Sequence, residues 1–308
     1  MKFKEIVMAK KCVVLAGGTG DLGQRIARAL LSKGAEVRIL TRSISSSDKR
    51  GSLIESGVTM VQVDYNNSTG LVKACDGVAC VVSALSGLRE VIVGAQKRLL
   101  DAAVTAGVKR FIPSDYAIDF MKLPEGKNRN LDLRREFSRY LEKAPIAATS
   151  ILNGAFMDML TGQAPFILFK LKRVLYYGNA DQLLDFTTKD DAAGYTAEAA
   201  LDSDTPRYLR IAGDQISARQ LAEVVSRIQN KKYRLLYGGG LGMLNVMIKM
   251  AKTFSPETDD IYPAWQGMQY MHNMYSGIPK LEPIDNNRYP HLKWTRVSDF
   301  LSQAVPNP

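Results

Sequence analysis

The chain contains little cysteine and little histidine. Its 308 residues include three cysteines, Cys12, Cys75 and Cys80, and two histidines, His272 and His291. The cysteines do not have the spacing of metal ligands, and Cys12 and Cys80 fall in predicted buried strands. We therefore expect reduced core thiols in a cytoplasmic protein. The histidines stand apart from one another, so the sequence predicts neither a metal site nor a catalytic triad.

Long apolar runs and blocks of like charge are also absent. No apolar run reaches the length of roughly 18 residues that a transmembrane helix needs, and residues 1–11 lack a run of signal-peptide length. We therefore expect no membrane partner. The formal net charge is +10, but no block of five basic residues occurs. This favours solubility and phosphate-binding arginines over direct binding of nucleic acid, with a polyanionic partner as the minor alternative.

What the chain does have is a glycine-rich turn near its beginning. An apolar run at 12–16 precedes the turn, and a segment with apolar residues at helical spacing follows it. This order is typical of a strand, a tight turn and a helix whose free amides bind a pyrophosphate. The sequence therefore predicts a dinucleotide site formed by Gly17, Gly18, Thr19, Gly20, Asp21, Leu22 and Gly23.

Alternating strands and helices continue to about residue 156. Further strands are predicted at 36–41, 58–63, 78–82, 108–112 and 146–152. This alternation predicts an α/β fold, a Rossmann-type doubly wound parallel sheet with a smaller C-terminal α+β substrate lobe. We place the NAD(P)-binding domain at 1–156. The substrate-binding lobe takes 157–308, with some segments returning to the sheet.

The residues that follow the predicted strands indicate the cofactor. Arg42, and not an acid, follows the second strand, with Lys49 and Arg50 nearby, and a guanidinium suits the 2′-phosphate of NADP(H). Asp64 follows the third strand, where it could face an adenine or cap the turn into 68–74. The carboxyl ends of parallel strands meet at one edge of a sheet, which gathers further cofactor-binding candidates at Ser83, Ala84, Leu85 and Ser114.

A substrate pocket is expected beside this crevice. Residues 117–130 are predicted to form a polar loop that could act as a flap. Asn153 and Phe156 leave the sixth strand toward the crevice. Trp265 belongs to an aromatic and methionine stripe at 262–275, which suits either a core or the wall of an apolar pocket. A second glycine cluster, 238–242, lacks the dinucleotide spacing and is predicted to be a loop.

Several of these motifs resemble one family. The segment Gly17-Gly-Thr-Gly-Asp-Leu-Gly23, Arg42, and Arg110-Phe-Ile-Pro-Ser-Asp-Tyr116 are similar to the NmrA-like group of atypical short-chain dehydrogenases. That group includes isoflavone-reductase-like enzymes. The resemblance implies NADP(H) binding and, for many members, reduction of a small aromatic or quinone-like substrate. Other members bind NADP without turnover and act as redox sensors through protein partners.

The chain departs from the family where catalysis is concerned. No Tyr-x-x-x-Lys pair lies on the helix after the fifth strand. The lysine of the isoflavone-reductase-like enzymes would fall at about Glu136, among Arg134, Arg135 and Arg139. An arginine stays charged and could stabilise an oxyanion, but it cannot shuttle a proton.

Two other residues are candidate proton donors. Tyr116 could donate from the crevice and Lys127 from the flap, although each could equally be a packing or surface residue. The leading interpretation is an NADPH-dependent reductase of a small planar apolar substrate. The alternative is a non-catalytic NADP(H)-sensing protein that acts through a protein partner.

Overall fold

The computed structural model describes residues 10–43, 53–255 and 259–305. A parallel sheet of six strands lies at its centre, in the order β3-β2-β1-β4-β5-β6. This order confirms the predicted Rossmann-type fold, because the chain winds outward from β1 in both directions. The strands are β1 Cys12–Ala16, β2 Glu36–Thr41, β3 Thr59–Gln62, β4 Cys80–Ser83, β5 Arg110–Ile112 and β6 Ala147–Ala148.

Helices cover both faces of the sheet. On one face Asp21–Ser32 and Lys189–Leu201 enclose a core with the buried sides of the strands. On the other face a second core lies under Ser68–Ala74, Gln96–Thr105 and Arg129–Leu141. A π-helical segment, Glu90–Ala95, leads directly into the helix Gln96–Thr105. The strands β1 and β4 are buried along their whole length, on both faces of the sheet, which explains their nearly continuous apolar sequence.

The C-terminal half builds a third core from short strands and helices. Its three small sheets have the strand orders β14-β10-β9, β13-β11-β8 and β12-β7. The strands are β7 Ser150–Leu152, β8 Ala155–Phe156, β9 Ile167–Leu168, β10 Arg173–Tyr176, β11 Leu184–Thr187, β12 Tyr208–Arg210, β13 Asp214–Ile216 and β14 Arg234–Tyr237. The helices are Ala218–Ile228, Leu241–Phe254, Ala264–Tyr275 and Val297–Ala304, with 3-10 turns at Phe120–Lys122, Met157–Thr161, Phe169–Leu171 and Asn286–Arg288.

Two segments from residues 157–308 pack against residues 1–156. The helix Lys189–Leu201 lies along Asp21–Ser32, and Lys189 bonds to Asp21 across this contact (2.8 Å). Strand β12 pairs in parallel with β7, with Tyr208 opposite Ser150. The chain therefore crosses more than once between its two halves. The boundary between 1–156 and 157–308 stays a prediction.

The prediction of a polar loop at 117–130 is wrong for its first part, which is buried. Ala117, Ile118, Phe120 and Leu123 are buried in the third core. Backbone bonds hold the segment inward, since the amides of Asn153 and Gly154 donate to the carbonyl of Ala117 at 3.0 and 3.2 Å. A loop whose polar backbone groups find partners can be buried without cost.

No helix in the described ranges is both long enough and apolar enough to cross a membrane.

Candidate active site

The glycine turn after β1 leaves a helix N-terminus open. Gly17 has a positive φ of 77°, and the amide of Gly20 donates to its carbonyl at 3.0 Å. A Cβ on Gly17 would lie 2.5 Å from the carbonyl oxygen of Ala84, and one on Gly23 would lie 2.2 Å from that of Gly17. These two glycines therefore permit close backbone packing. Gly18 does the same against the Ile39 side chain.

Gly20 differs from these three glycines. It is exposed, and a Cβ there would meet only the carbonyl oxygen of Gly17, at 3.3 Å. It is the N-cap of the helix Asp21–Ser32, and no side chain caps this helix end. Free amides at the positive end of a helix form an anion site. The turn thus offers the geometry of a pyrophosphate site, with Gly20 at its open side.

The remaining residues of the motif hold the turn in place. The carbonyl of Thr19 accepts from the Gln24 side chain at 2.9 Å, and Leu22 packs on the core under the helix. Asp21 is exposed and bonds to Lys189 and Arg25, both at 2.8 Å. Hydrogen bonds from Lys189 and then Arg25 hold the pKa of Asp21 below its ordinary value. The two cations therefore offset the negative charge of Asp21, which would otherwise repel a phosphate at this helix end.

The ends of β2 and β3 form the adjacent part of the crevice. Arg42 is exposed directly after β2. Its charge acts on the Tyr65 hydroxyl, although burial outweighs it and raises the pKa of Tyr65 to about 12. Asp64 accepts from the amide of Asn66 at 2.9 Å, the contact expected of a turn-capping residue. The sequence candidates Lys49 and Arg50 lie outside the described residues.

The ends of β4 and β5 are joined to one another. The hydroxyl of Ser114 donates to the carbonyl of Leu85 at 2.7 Å, and its amide donates to the Gln96 side chain at 3.0 Å. Ala84 lies against Gly17, as its carbonyl distance shows. The structure thus brings Ala84, Leu85 and Ser114 together along the edge that carries the glycine turn.

Three buried polar side chains at this edge have atoms without a hydrogen-bond partner among the described residues. They are the hydroxyl of Ser83, one oxygen of Asp115, and both polar atoms of the Asn153 side chain. Ser83 and Asn153 are fully buried and Asp115 is 1% exposed. An unsatisfied buried polar atom costs about 1–3 kcal/mol. Their clustering at the ends of β4, β5 and β7 therefore points to a polar ligand that would complete them.

Asp115 is also linked to a buried chain of donors. Its second oxygen accepts from the hydroxyl of Ser150 at 2.7 Å, and that hydroxyl accepts from Arg207 at 2.6 Å. Burial raises the pKa of Asp115, while the charges of Arg134 and Arg207 act in the opposite direction. Asp115 belongs to the segment Arg110–Tyr116, but its place in that segment predicts no role for it. Nothing local in the sequence shows that its side chain turns inward.

Among the residues around the predicted lysine position at about Glu136, Arg134 faces the end of β5. Its Nε donates to the carbonyl of Ser114 at 3.1 Å, and its charge lies near the hydroxyl of Tyr270. Glu136 instead pairs with Arg89 (2.6 Å) and Arg139 with Glu125 at the surface. Two residues along a helix turn a side chain by about 200°. Arg134 and Glu136 therefore face different surroundings, and the placing of the lysine position at about Glu136 stays a prediction.

The two candidate proton donors lie in different surroundings. Tyr116 is 8% exposed, and its hydroxyl is buried next to Thr196 in the core under the helix Lys189–Leu201. Burial raises its pKa strongly. Lys127 is exposed at the end of the flap, near His272, whose pKa is lowered by burial and by the charge of Lys127. Either residue's role in catalysis stays a prediction.

The candidate wall residues are held by the C-terminal half. Phe156 is half-buried, and its strand β8 pairs with β11. Trp265 is 3% exposed, its ring nitrogen donates to the carbonyl of Ser255 at 2.9 Å, and Arg129 and Lys252 lie 4.7 and 4.8 Å from its ring centre. Trp265 therefore fixes the helix Ala264–Tyr275 against the start of Arg129–Leu141.

No group of three or more metal-binding side chains occurs in the ranges that the structure describes.

Comparison with known proteins gives the family. The model of the NmrA-like family matches residues 9–301. The chain belongs to the NmrA-like family. Pinoresinol reductase 2 of Arabidopsis thaliana is 27% identical, over 96% of this chain and 98% of the relative. The bifunctional pinoresinol-lariciresinol reductase of Forsythia intermedia is 27% identical over 97% and 100%.

A solved relative carries a cofactor and a substrate. The structure described as AtPrR2 with NADP+ and (+)pinoresinol superposes with a TM-score of 0.81, at 25% identity, over 97% of this chain and 100% of that chain. The family predicted from the glycine motif and the Phe-Ile-Pro-Ser segment is thereby confirmed.

Proposed function

We propose that the protein is an NADPH-dependent reductase of a small planar apolar substrate, aromatic or quinone-like. The observation that carries this proposal is the shared edge of the sheet. There the open helix end at Gly20 follows β1, and the unpartnered polar atoms of Ser83, Asp115 and Asn153 belong to the ends of β4, β5 and β7. The names of the relatives, which are reductases of pinoresinol and related compounds, agree with it.

The residues present fit NADP(H). The amides around Gly20 would take the pyrophosphate, Arg42 the 2′-phosphate, and the edge from Ser83 to Leu85 with Ser114 the remainder of the cofactor. When bound, NADPH supplies the hydride. The protein's own part is to bind, to orient and to manage charge and protons.

Arg134 would stabilise the negative charge that develops on the substrate during reduction. Its guanidinium is held by the carbonyls of Ser114 and Asn130, at 3.1 and 3.0 Å, so its position is fixed before a substrate binds. A fixed cation stabilises negative charge that develops on a substrate oxygen. It cannot act as the acid, because an arginine keeps its proton.

The proton donor is Tyr116 or Lys127. The raised pKa of Tyr116 keeps its hydroxyl protonated at neutral pH, but its burial requires the substrate to reach the core. Lys127 is accessible and lies on the flap beside His272. The accessible position favours Lys127. Phe156, Trp265 and Tyr270 would form the apolar wall around the substrate.

The test is NADPH oxidation by the purified protein with a panel of aromatic and quinone-like acceptors, pinoresinol among them. With a turned-over substrate, Lys127→Ala and Tyr116→Phe separate the donors, because loss of a general acid lowers kcat roughly 10²–10⁴-fold. Lys143→Ala, at an exposed lysine of the same half, is the control. If neither substitution lowers kcat, neither Lys127 nor Tyr116 is the proton donor.

The second candidate function is a non-catalytic NADP(H) sensor that acts through a protein partner. The lack of a Tyr-x-x-x-Lys pair on the helix after the fifth strand and the buried hydroxyl of Tyr116 favour it. Tight NADPH binding with no turnover across the whole panel would support the sensor and refute the reductase.

A further inference from the structure

Exposed apolar side chains gather on one surface of the C-terminal half. Of the twelve large apolar residues that are exposed in the described part of the chain, seven come from Leu171 and the segment 236–254. Soluble proteins rarely expose a contiguous apolar patch of this kind without a partner. We call these residues the apolar surface: Leu171, Leu236, Tyr237, Met243, Val246, Met250 and Phe254.

The helix Leu241–Phe254 supplies most of it as one stripe. Leu244 and Ile248 are buried against the third core. Met243, Val246, Met250 and Phe254 are 59, 55, 57 and 85% exposed. At 3.6 residues per turn these four side chains fall within an arc of about 80°. The helix therefore has a second apolar face, which points away from the protein.

The segments that carry the apolar surface hold charge of one sign. Residues 224–256 include six lysines and arginines and no acid, and residues 159–180 include three and no acid. Strands β10 and β14 bring the two segments together, with Arg173 opposite Arg234. The nine cations are Lys170, Lys172, Arg173, Arg227, Lys231, Lys232, Arg234, Lys249 and Lys252.

Strand β14 links the cations to the apolar stripe, because the exposed residues Arg234, Leu236 and Tyr237 all lie on it. A Cβ on Gly240, the N-cap of the helix, would lie 3.8 Å from the Tyr237 hydroxyl, and the rings of Tyr237 and Tyr176 are 5.3 Å apart. Within the described residues none of the nine cations forms a salt bridge. Lys252 lies over the Trp265 ring, and the charge of the other eight cations is available to a partner.

We propose that this surface binds the face of an anionic lipid membrane. The cations would contact lipid phosphates, and the helix would lie in the interface with its methionine, valine and phenylalanine side chains in the acyl boundary. A second copy of the chain would set nine cations against nine, which like-charge repulsion opposes. A nucleic acid offers phosphates but no apolar phase for the stripe.

This proposal differs from the sequence expectation of no membrane partner. That expectation rested on the lack of a run long enough to cross a bilayer. A helix that lies in the interface needs no such run, because only one of its faces enters the lipid.

The test is co-sedimentation of the full chain, with NADPH present, with lipid vesicles. One set is phosphatidylcholine alone, and in the other a third of the lipid is phosphatidylglycerol. We expect binding to the anionic vesicles only, weakened by added salt. The double variant Lys231→Gln/Lys232→Gln should lower the partition coefficient at least about tenfold, since each cation near the surface contributes about a factor of five.

The apolar stripe is tested separately. Val246→Ser/Met250→Ser/Phe254→Ser should abolish sedimentation with the anionic vesicles, and its exposed positions allow folding, which near-UV circular dichroism checks. The matched controls are Lys109→Gln/Lys143→Gln for charge and Ile278→Ser/Ile284→Ser for exposed apolar side chains. Both controls should bind as the wild type does.

Three results would overturn the proposal. The first is no binding to anionic vesicles. The second is binding that the surface variants and the controls alter alike. The third is binding that a single-stranded oligonucleotide displaces and that the serine variant leaves unchanged, which would assign the surface to nucleic acid. None of these results depends on turnover, so the proposed reductase activity stands or falls separately.

Discussion

Two glycine clusters in this chain precede helices with nearly identical starts. Gly20 caps the helix Asp21–Ser32 with φ −76° and ψ 167°, and Gly240 caps the helix Leu241–Phe254 with φ −74° and ψ 166°. Neither helix end is capped by a side chain. By backbone geometry alone, each could bind an anion.

Their surroundings differ. The first cluster follows β1, which has β2 and β4 as neighbours, so Arg42 and Ser83 lie at the same edge. The atoms closest to Gly17 and Gly23 belong to the backbone, whereas those closest to Gly238 and Gly239 in the second cluster belong to side chains. There a Cβ on Gly238 would lie 2.6 Å from the Tyr177 ring, and one on Gly239 would lie 2.6 Å from the Met243 sulfur. The second cluster follows β14, at the edge of a small sheet.

Whether a glycine turn can bind a dinucleotide therefore depends on the strand ends that lie next to it. A helix end in the middle of a parallel sheet shares its edge with the ends of several strands, which supply the contacts for the remainder of a dinucleotide. A helix end at the edge of a small sheet has no such set. In this chain the second helix instead presents an exposed apolar stripe.

The largest expected effect is the loss of cofactor binding in Gly20→Val. The extended backbone at Gly20 accepts a valine, so the protein should fold, but the side chain would fill the pyrophosphate position. Titration calorimetry should show no NADPH binding. Gly240→Val, at the same backbone geometry, should bind NADPH as the wild type does. If both variants bind equally well, the two clusters do not differ as described.

The next effect concerns the phosphate that distinguishes NADPH from NADH. A guanidinium–phosphate contact contributes about 1.5–3 kcal/mol, or roughly 10- to 150-fold in affinity. We expect NADPH to bind at least about tenfold more tightly than NADH on this estimate. Arg42→Ala should remove most of the difference by weakening NADPH alone.

Lys249→Ala, near the second cluster, is the control for Arg42→Ala and should change neither affinity. Equal affinities for NADPH and NADH in the wild type, or a parallel loss of both in Arg42→Ala, would make Arg42 a solvated loop residue.

A smaller effect is expected on the free energy of unfolding, because the glycines of the two clusters differ in how closely they are packed. In Gly23→Ala the new Cβ would lie 2.2 Å from the carbonyl oxygen of Gly17, and overpacking of this kind costs about 1–3 kcal/mol. In Gly242→Ala nothing lies within 4 Å, and replacing a helical glycine stabilises by up to about 1 kcal/mol. Urea unfolding should therefore show shifts of opposite sign, and shifts of the same sign would contradict the packing difference.

The smallest effect is a dependence on pH. The first turn of Asp21–Ser32 contains Asp21, whereas that of Leu241–Phe254 contains no acid. The pKa of Asp21 is lowered by Lys189 and Arg25. Its contribution is therefore present above the ordinary aspartate pKa and is lost as the pH falls through the lowered pKa. Because the side chain is exposed, the contribution should stay below about 1 kcal/mol.

The measurement for Asp21 is thermal unfolding at a series of acid pH values. Asp21→Asn should lose stability less steeply with acid than the wild type. Asp76→Asn, at an aspartate that forms no salt bridge in the described ranges, should follow the wild-type curve. Identical curves for all three proteins would show that Asp21 does not contribute to the pH dependence of stability.

Much of the fold could be predicted because its signals are local. The strands β1 and β4 are short apolar runs, the first followed by Gly17 and the second ending at Ser83, and the glycine spacing at 17–23 is typical of one kind of turn. The segment 117–130 was mistaken for a polar loop because its burial depends on distant partners. Arg135 and Asn153 bond to backbone atoms of this segment, and the sequence does not show these contacts.

The candidate site could be predicted in part. The places of Gly20, after β1, and Ser114, after β5, follow from strand order, and their roles stay predictions. The direction of a side chain on a helix depends on its exact position, so the sequence does not show that Arg134 bonds to Ser114 while Glu136 bonds to Arg89. The sequence also does not show that the Asp115 side chain bonds to Ser150 or that the backbone amide of Asn153 bonds to Ala117.

Hydrogen–deuterium exchange with and without NADPH tests the difference between the two clusters most directly. The account predicts that NADPH slows amide exchange at residues 17–23, at Arg42 and at 83–85, and leaves residues 238–242 unchanged. Slowed exchange at 238–242 without any change at 17–23 would contradict it.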